Sequence, residues 1–213
     1  MNNKPLKIGL FGFGRIGRNI FRLGFDNPNF EFTAISDLGE AESMHYLLMR
    51  DSIHGAMNEK FILDGKNIIY NDHSIRLLEG GTPGTVPWDA YDIDLVIDTS
   101  GVYRSRDQLQ PHIDSGAHRV LVSKPPIDEV DRIVIKGLND SEISKDDRII
   151  STTSATTQVL ALMLKVLDDN FGVEQGMMTT VHAYTSDQPL ADTVQSDLRR
   201  SRSAVENIIP NET

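Results

Sequence analysis

The sequence predicts an α/β fold in which a doubly wound parallel sheet is followed by the start of an α+β domain. Short apolar runs recur along residues 7–150, and helical or polar segments separate them. A glycine-rich turn follows the first of these runs. We assign residues 1–153 to the first domain and residues 154–213 to the start of the second.

The first apolar run, residues 7–11, leads into a glycine-rich turn and then into a helical pattern. This turn contains Gly12, Gly14 and Gly17 in the spacing G-x-G-x-x-G, which between a strand and a helix is typical of a Rossmann-type dinucleotide site. The first glycine makes the tight turn, the second lets the backbone approach a pyrophosphate, and the third lets the helix pack closely. The alternative is a glycine turn that binds nothing.

A second strand, predicted over residues 30–36, ends at Asp37, at the distance after Gly17 where an acidic residue accepts hydrogen bonds from a ribose. A carboxylate there repels a 2′-phosphate, so it favours NAD over NADP.

The remaining strands of the first domain are short and regularly spaced. A helix is predicted over residues 42–49 and a polar turn over 50–55. Three short strands then form an antiparallel excursion at residues 61–63, 68–70 and 75–78. Further strands at residues 93–98, 119–122, 132–135 and 148–150 complete a set of roughly six parallel strands.

Ligands of such sheets bind beyond the carboxyl ends of the strands. Ser100 and Gly101 follow the strand at residues 93–98, and Ser123 follows the strand at residues 119–122. We therefore expect these three residues to contact the cofactor.

The second domain begins with a predicted helix over residues 156–170, whose free N–H groups face residues 154–157 and suit an anion or an oxyanion. A strand is predicted over residues 176–185 and carries His182, a residue that in such a run is more often structural than catalytic. Another strand is predicted over residues 205–210. Between them lies a long polar loop.

That loop, residues 186–203, contains three cations in four positions, at Arg199, Arg200 and Arg202. They form either an ion-paired surface loop or a phosphate clamp.

The composition excludes several classes of function. A net charge of −10 and a pI near 5.0 argue against nucleic acid as a partner. The chain has no cysteine, which excludes disulfides, thiolate metal sites and thiol catalysis. No apolar run approaches the length of a membrane span and no signal-peptide layout is present, so we expect a cytoplasmic protein without a membrane partner. No residue is assigned to a metal.

These motifs, in this order, resemble those of one enzyme family, the phosphorylating glyceraldehyde-3-phosphate dehydrogenases. The resemblance extends from Ile8 to Thr213. Seven segments carry it, at residues 12–18, 50–55, 99–103, 154–157, 178–185, 197–202 and 207–210.

The resemblance implies an NAD-dependent glycolytic enzyme that oxidises a phosphorylated aldehyde in the presence of inorganic phosphate, through a cysteine thiolate. It also implies a tetramer, as a homo- or hetero-oligomer. His182 matches the family's base. Other positions match the inorganic-phosphate site (Ser154, Thr156, Thr213), the substrate-phosphate site (Thr185, Asp187, Arg200) and the NAD contacts (Gly12, Arg15, Ile16, Asp37, Ser100, Gly101, Ser123).

The sequence also departs from the family. The family's nucleophilic cysteine is Ala155 here, and neighbouring positions differ at Thr152, Gln158 and Val159. Phe11 replaces the asparagine before the glycine turn, and Thr193-Val194 replaces a pair that accompanies NAD preference. The family's C-terminal third is missing, so we expect the second domain to be truncated.

Together these features predict a family member that binds NAD but is inactive in the phosphorylating reaction. Two alternatives stay open: a non-catalytic or regulatory subunit that assembles with an active relative, and a non-covalent dehydrogenase that uses His182 as a base.

Overall fold

The computed structural model describes residues 4–211, which form two compact units. One unit ends at Ser154 and the other begins at Ala155. Among the described residues, the first unit holds all of the strands and three of the four α-helices.

The strands of the first unit are short, as the sequence predicts. Their bounds are β1 (Leu6–Phe11), β2 (Phe30–Asp37), β3 (Arg50–Asp51), β4 (Gly55–Ala56), β5 (Ile62–Asp64), β6 (Asn67–Tyr70), β7 (His73–Glu79), β8 (Leu95–Asp98), β9 (Arg119–Val122), β10 (Arg132–Ile133) and β11 (Ile149–Ser151). Nine of them form one sheet in the order β10-β11-β9-β8-β1-β2-β7-β6-β5, while β3 and β4 form a separate hairpin. That hairpin occupies the segment predicted as a polar turn.

The sheet is parallel from β10 to β7, and only β6 and β5 are antiparallel. The predicted α/β class with a large parallel sheet is therefore confirmed. One detail was wrong: the segment at residues 75–78 is not confined to the antiparallel excursion, because β7 also pairs in parallel with β2, with Ala34 opposite Arg76. Burial of Ile75 and Leu77 in the same core as Phe32 explains this placement.

Helices cover both faces of the sheet, as a doubly wound fold requires. The helices α1 (Arg15–Gly24) and α2 (Ala41–Met49) bury Phe21 and Met44 in one core. The helix α3 (Arg106–Asp114) buries Leu109 in the other core, beside Trp88. Consecutive residues of β1 alternate between these cores, with Leu10 in the first and Phe11 in the second.

The strand register brings the carboxyl ends of four strands to one edge. Phe11 of β1 lies opposite Ser36 of β2 and Asp98 of β8. Asp98 in turn lies opposite Val122 of β9. The strand order reverses at β1. Strands β2 and β7 lie on one side of β1, whereas β8, the next parallel strand along the chain, lies on the other side. Such a reversal is where doubly wound sheets bind ligands.

The second unit has one long helix, α4 (Ala155–Phe171), and a short 3₁₀ turn at Leu198–Ser201. The helix matches the prediction for residues 156–170. The strands predicted over residues 176–185 and 205–210 are wrong, since both segments lack regular structure. A strand needs a neighbour for its backbone hydrogen bonds, and no segment of the described chain pairs with either run.

Over residues 4–211, none of the helices combines the length and the apolar character needed to cross a bilayer.

Candidate functional site

The glycine turn after β1 combines two positions that packing requires with one that faces open space. Gly12 has a φ of +90°, and a Cβ there would lie 2.7 Å from the backbone nitrogen of Ser100. A Cβ on Gly17 would lie 2.3 Å from the carbonyl oxygen of Gly12. A Cβ on Gly14 would meet nothing within 4 Å. The turn therefore leaves space beside Gly14 that a ligand can occupy.

The first turn of α1 faces this space with its backbone donors available. Its N-cap, Gly14, makes no side-chain capping bond, and the first turn contains no acidic residue. A helix N-terminus of this kind attracts an anion. Ile16, in the same turn, is exposed. The open space and the uncapped N-terminus together fit a dinucleotide pyrophosphate.

Asp37, at the end of β2, is hydrogen-bonded to the glycine turn. Its Oδ2 accepts from the backbone nitrogen of Phe13 at 2.5 Å, and its Oδ1 accepts from that of Gly39 at 2.9 Å. A carboxylate has about four lone-pair directions, so two of them remain for a ligand. Asp37 is partly exposed, which is compatible with a bond to a ribose hydroxyl.

Arg15, another predicted cofactor residue, forms an ion pair with Asp51 of β3. The Asp51 side chain is only 2% exposed. The pKa of Asp51 is lowered to about 2. The hydrogen bond from the backbone N–H of His54 lowers it most, and burial opposes the shift. The backbone N–H of Ile53 and the Arg15 guanidinium lower the pKa further. Asp51 is therefore ionised at neutral pH and holds Arg15 beside the turn. This contact was not predicted from the sequence, although the motif at residues 50–55 contains Asp51.

Ser100, Gly101 and Ser123 lie at the same edge of the sheet. The Ser100 hydroxyl donates to Oδ1 of Asp98 at 2.7 Å, and the Ser123 hydroxyl donates to the carbonyl oxygen of Asp98 at 3.1 Å. Gly101 has a φ of +74°, and a Cβ there would lie 3.1 Å from Cε of Lys124. Asp98, which joins the two serines, was not among the site residues predicted from the sequence.

The second unit contains a cavity of about 420 Å³. Three predicted residues line it, namely Thr156, His182 and Thr185. Ala155, Asp187 and Arg200 are not among its lining residues in the described chain. Ser154 is the last residue of the first unit, and Thr213 lies outside the described residues.

The hydrogen bond of His182 determines which ring nitrogen can act as a base. Its Nδ1 lies 2.6 Å from the carbonyl oxygen of Ala183. Because a carbonyl oxygen can only accept, Nδ1 carries the proton, and the neutral ring has its lone pair on Nε2. This tautomer is compatible with proton abstraction at Nε2.

Gln188 fixes Thr185 within the cavity. Its Oε1 accepts from the backbone nitrogen of Thr185 at 2.7 Å and from the Thr185 hydroxyl at 3.1 Å. No sequence motif singled out Gln188, because a glutamine in a polar loop carries no distinctive signal.

The cations of the loop at residues 186–203 face aspartates of the same loop. Nη1 of Arg202 lies 2.5 Å from Asp192, and Nη2 of Arg199 lies 2.8 Å from Asp197. The hydrogen bond from Arg199 lowers the pKa of Asp197. These contacts favour the ion-paired interpretation of the loop for Arg199 and Arg202.

Both units match models of the same protein family. Residues 6–106 match the family model described as glyceraldehyde 3-phosphate dehydrogenase, NAD binding domain. Residues 154–213 match the model described as glyceraldehyde 3-phosphate dehydrogenase, C-terminal domain. The first match confirms the prediction of NAD as the cofactor.

Curated relatives are similar over nearly the whole chain. Glyceraldehyde-3-phosphate dehydrogenase of Priestia megaterium (strain DSM 319 / IMG 1521) is 40% identical over 209 residues, 98% of this chain. The enzyme of the same name from Geobacillus stearothermophilus is 39% identical over 209 residues, also 98% of this chain, and glyceraldehyde-3-phosphate dehydrogenase 1 of Streptomyces arenae is 41% identical over 207 residues, 96% of this chain. The chain spans 62% of the length of each relative.

Two substitutions in the glycine turn separate folding from ligand binding. We expect Gly14→Ala to leave stability nearly unchanged but to weaken NAD binding at least ~10-fold, because the added methyl occupies the space beside the helix N-terminus. We expect Gly12→Ala to destabilise the protein by about 1–3 kcal/mol, because its Cβ collides with the Ser100 backbone. Urea unfolding and calorimetric titration with NAD measure the two effects.

Gly176→Ala is the matched control, since a Cβ at Gly176 also meets nothing within 4 Å but lies in the other unit. It is expected to change neither measurement. Unchanged NAD affinity in Gly14→Ala would show that the space beside Gly14 is not the pyrophosphate site.

Proposed function

The chain belongs to the glyceraldehyde-3-phosphate dehydrogenase family, and we propose that it binds NAD without carrying out the family's covalent phosphorylating reaction. The single observation behind this proposal is Ala155. It is the first residue of α4, it matches the position of the family's nucleophile, and the chain contains no cysteine elsewhere.

Covalent catalysis needs a lone pair that can attack the aldehyde carbon. The methyl group of Ala155 has none. The nearest alcohols along the chain belong to Ser154 and Thr156, and an alcohol becomes a useful nucleophile only with a base within hydrogen-bond reach. Thr156 and His182 line the same cavity, but no hydrogen bond joins them in the described structure. The site thus retains a base and lacks a nucleophile.

The cofactor half of the proposal rests on the first unit. NAD, when bound, supplies a hydride acceptor. The chain's own contribution is to hold the pyrophosphate at the N-terminus of α1, to accept ribose hydrogen bonds at Asp37, and to fix Arg15 through Asp51. All of these groups are in place without any residue of the second unit.

We expect no measurable NADH formation from glyceraldehyde 3-phosphate, NAD and phosphate, because no thiohemiacetal can form. The variant Ala155→Cys introduces the sole thiol of the chain at the start of a helix, where the free N–H groups lower a thiol pKa. We expect that thiol to react with iodoacetamide at neutral pH faster than the thiol of Ala161→Cys, which lies in the middle of the same helix.

The rates of the two iodoacetamide reactions are measured by mass spectrometry across a pH series. NADH formation is measured by absorbance. Turnover by the unmodified chain comparable to that of an active relative would refute the proposed inactivity. It would then favour a non-covalent reaction with His182 as base.

Asp37 supports NAD over NADP as the ligand of the first unit. We expect calorimetry to give an NAD affinity at least ~10-fold higher than the NADP affinity, because the 2′-phosphate would approach the Asp37 carboxylate. Asp37→Asn keeps an oxygen acceptor for the Phe13 nitrogen but removes the charge, so it should narrow this difference. Glu40→Gln, which removes an exposed charge three residues away, should leave it unchanged. Equal affinities in the unmodified chain would contradict the role of Asp37.

A second candidate function is a non-catalytic subunit that assembles with an active relative. The loop at residues 186–203 favours it, because the Asp192 contacts with Arg202 and Ser203 hold the loop in shape while Val194 is 97% exposed. A structured loop with exposed apolar side chains is typical of an association surface.

We expect native mass spectrometry to detect assemblies heavier than the 23.7 kDa chain, either alone or after mixing with a cysteine-bearing family member. Val194→Asp should reduce them, because the new charge would be desolvated in the contact. Leu23→Asp makes the same change at an exposed position of α1 and should not. Monomers under all of these conditions would count against this candidate.

A further inference from the structure

A series of buried polar side chains connects the core of the first unit to Ser100. Nε1 of Trp88 donates to Nδ1 of His112 on α3 at 3.0 Å. Nε2 of His112 lies 3.5 Å from Oδ2 of Asp98, the last residue of β8. Oδ1 of Asp98 accepts from both the backbone nitrogen and the hydroxyl of Ser100, at 2.9 and 2.7 Å. The side chains of His112 and Asp98 are completely buried.

Trp88 determines the tautomer of His112. An indole N–H can only donate, so Nδ1 of His112 must accept and cannot carry a proton. The proton of the neutral ring is therefore on Nε2, which faces Oδ2 of Asp98. Both atoms are buried, and neither makes a hydrogen bond in the part of the chain that the structure describes. Their 3.5 Å contact is therefore an electrostatic attraction between a buried N–H group and a buried carboxylate oxygen, and not a hydrogen bond.

Packing holds both rings of this chain in place. A Cβ on Gly9 of β1 would lie 2.7 Å from the Trp88 ring, so the indole fills the space above that glycine. The ring of Phe11 contacts His112 edge to face, with centroids 4.7 Å apart. The Asp98 carboxylate thus lies between two fixed groups, since His112 faces its Oδ2 and Ser100 donates to its Oδ1.

The consequence for Ser100 is a defined hydrogen-bonding role. A hydroxyl has one proton and two lone pairs. Its proton goes to Asp98, and one lone pair accepts from the backbone nitrogen of Val102 at 3.3 Å. One acceptor position remains, on a side chain that is partly exposed beside Gly12. Ser100 is therefore suited to a ligand group that donates, such as a ribose hydroxyl or an amide, and not to a phosphate oxygen.

We propose that Asp98, held by His112 and Trp88, is a positioning residue that presents the Ser100 hydroxyl as a hydrogen-bond acceptor to a donor group of the bound dinucleotide. This inference rests on the proposed NAD-binding function and adds the chemistry by which Ser100 recognises its ligand. The alternative is that these buried polar side chains only stabilise the core and have no effect on ligand binding.

A double-mutant cycle distinguishes these possibilities. In Asp98→Asn the amide places a donor either against Nε2–H of His112 or against Ser100, so one contact becomes repulsive. We expect this variant and Ser100→Ala each to weaken NAD binding by ~10-fold, measured by calorimetry. The double variant should be no weaker than the single variants, because Asp98 acts through Ser100. Losses that simply add in the double variant would overturn the proposal.

Asp94→Asn is the matched control. Asp94 and His118 form a pair with the same 3.5 Å separation as Asp98 and His112, but His118 is exposed and Asp94 is partly exposed. We expect this variant to bind NAD as the unmodified chain does. A loss equal to that of Asp98→Asn would assign the effect to overall charge and would also overturn the proposal.

The tautomer of His112 provides a second measurement, which does not depend on any variant folding. Long-range ¹H–¹⁵N spectra of the unmodified protein should identify an imidazole with its proton on Nε2, and Trp88, the only tryptophan, gives a single indole N–H signal. A proton on Nδ1 would contradict the proposal. Failure of the unmodified chain to bind NAD would remove the proposed function as well, whereas binding that Asp98→Asn leaves unchanged would remove this inference alone.

Discussion

The close approach of the glycine turn to the end of β8 is the constraint on which the first unit depends. Gly12 adopts a positive φ, and only a hydrogen fits between its Cα and the Ser100 backbone. The Thr99 hydroxyl donates to the carbonyl oxygen of Gly12 at 2.6 Å and fixes the same junction. Because the turn cannot move away from β8, α1 begins where its N-terminus faces the space beside Gly14. The glycine turn at residues 12–17 and the N-terminus of α1 together form a cradle for an anion, and this cradle is therefore a result of backbone packing.

Two aspartates at strand ends illustrate how burial decides what a carboxylate does. Asp37 ends β2 at a partly exposed position, where two backbone nitrogens fix it and lone pairs remain for a ligand. Asp98 ends the next strand but one in the sheet, where it is completely buried and its oxygens face only protein donors. The first can contact a cofactor directly, while the second can act only through Ser100.

The sequence predicted what depends on local pattern and motif. The apolar runs predicted the parallel strands, and G-x-G-x-x-G predicted the tight turn between β1 and α1. The errors arose where the structure depends on distant partners. The β-branched run around His182 predicted a strand, but a strand needs a neighbour, and residues 176–185 have none in the described chain. Asp51 and Asp98 were missed because only the folded chain brings Arg15 and His112 to them.

The cradle and position 155 also differ in how strongly the fold constrains them. Replacing Gly12 or Gly17 would force backbone atoms apart, so the packing of this turn depends on those two glycines. Ala155 is exposed at the start of a helix, where alanine is a good helix former and no packing depends on a sulfur atom. Loss of a nucleophile at position 155 would thus cost almost no stability, whereas loss of Gly12 or Gly17 would disturb backbone packing. These unequal constraints are compatible with the proposed combination of retained NAD binding and absent covalent chemistry.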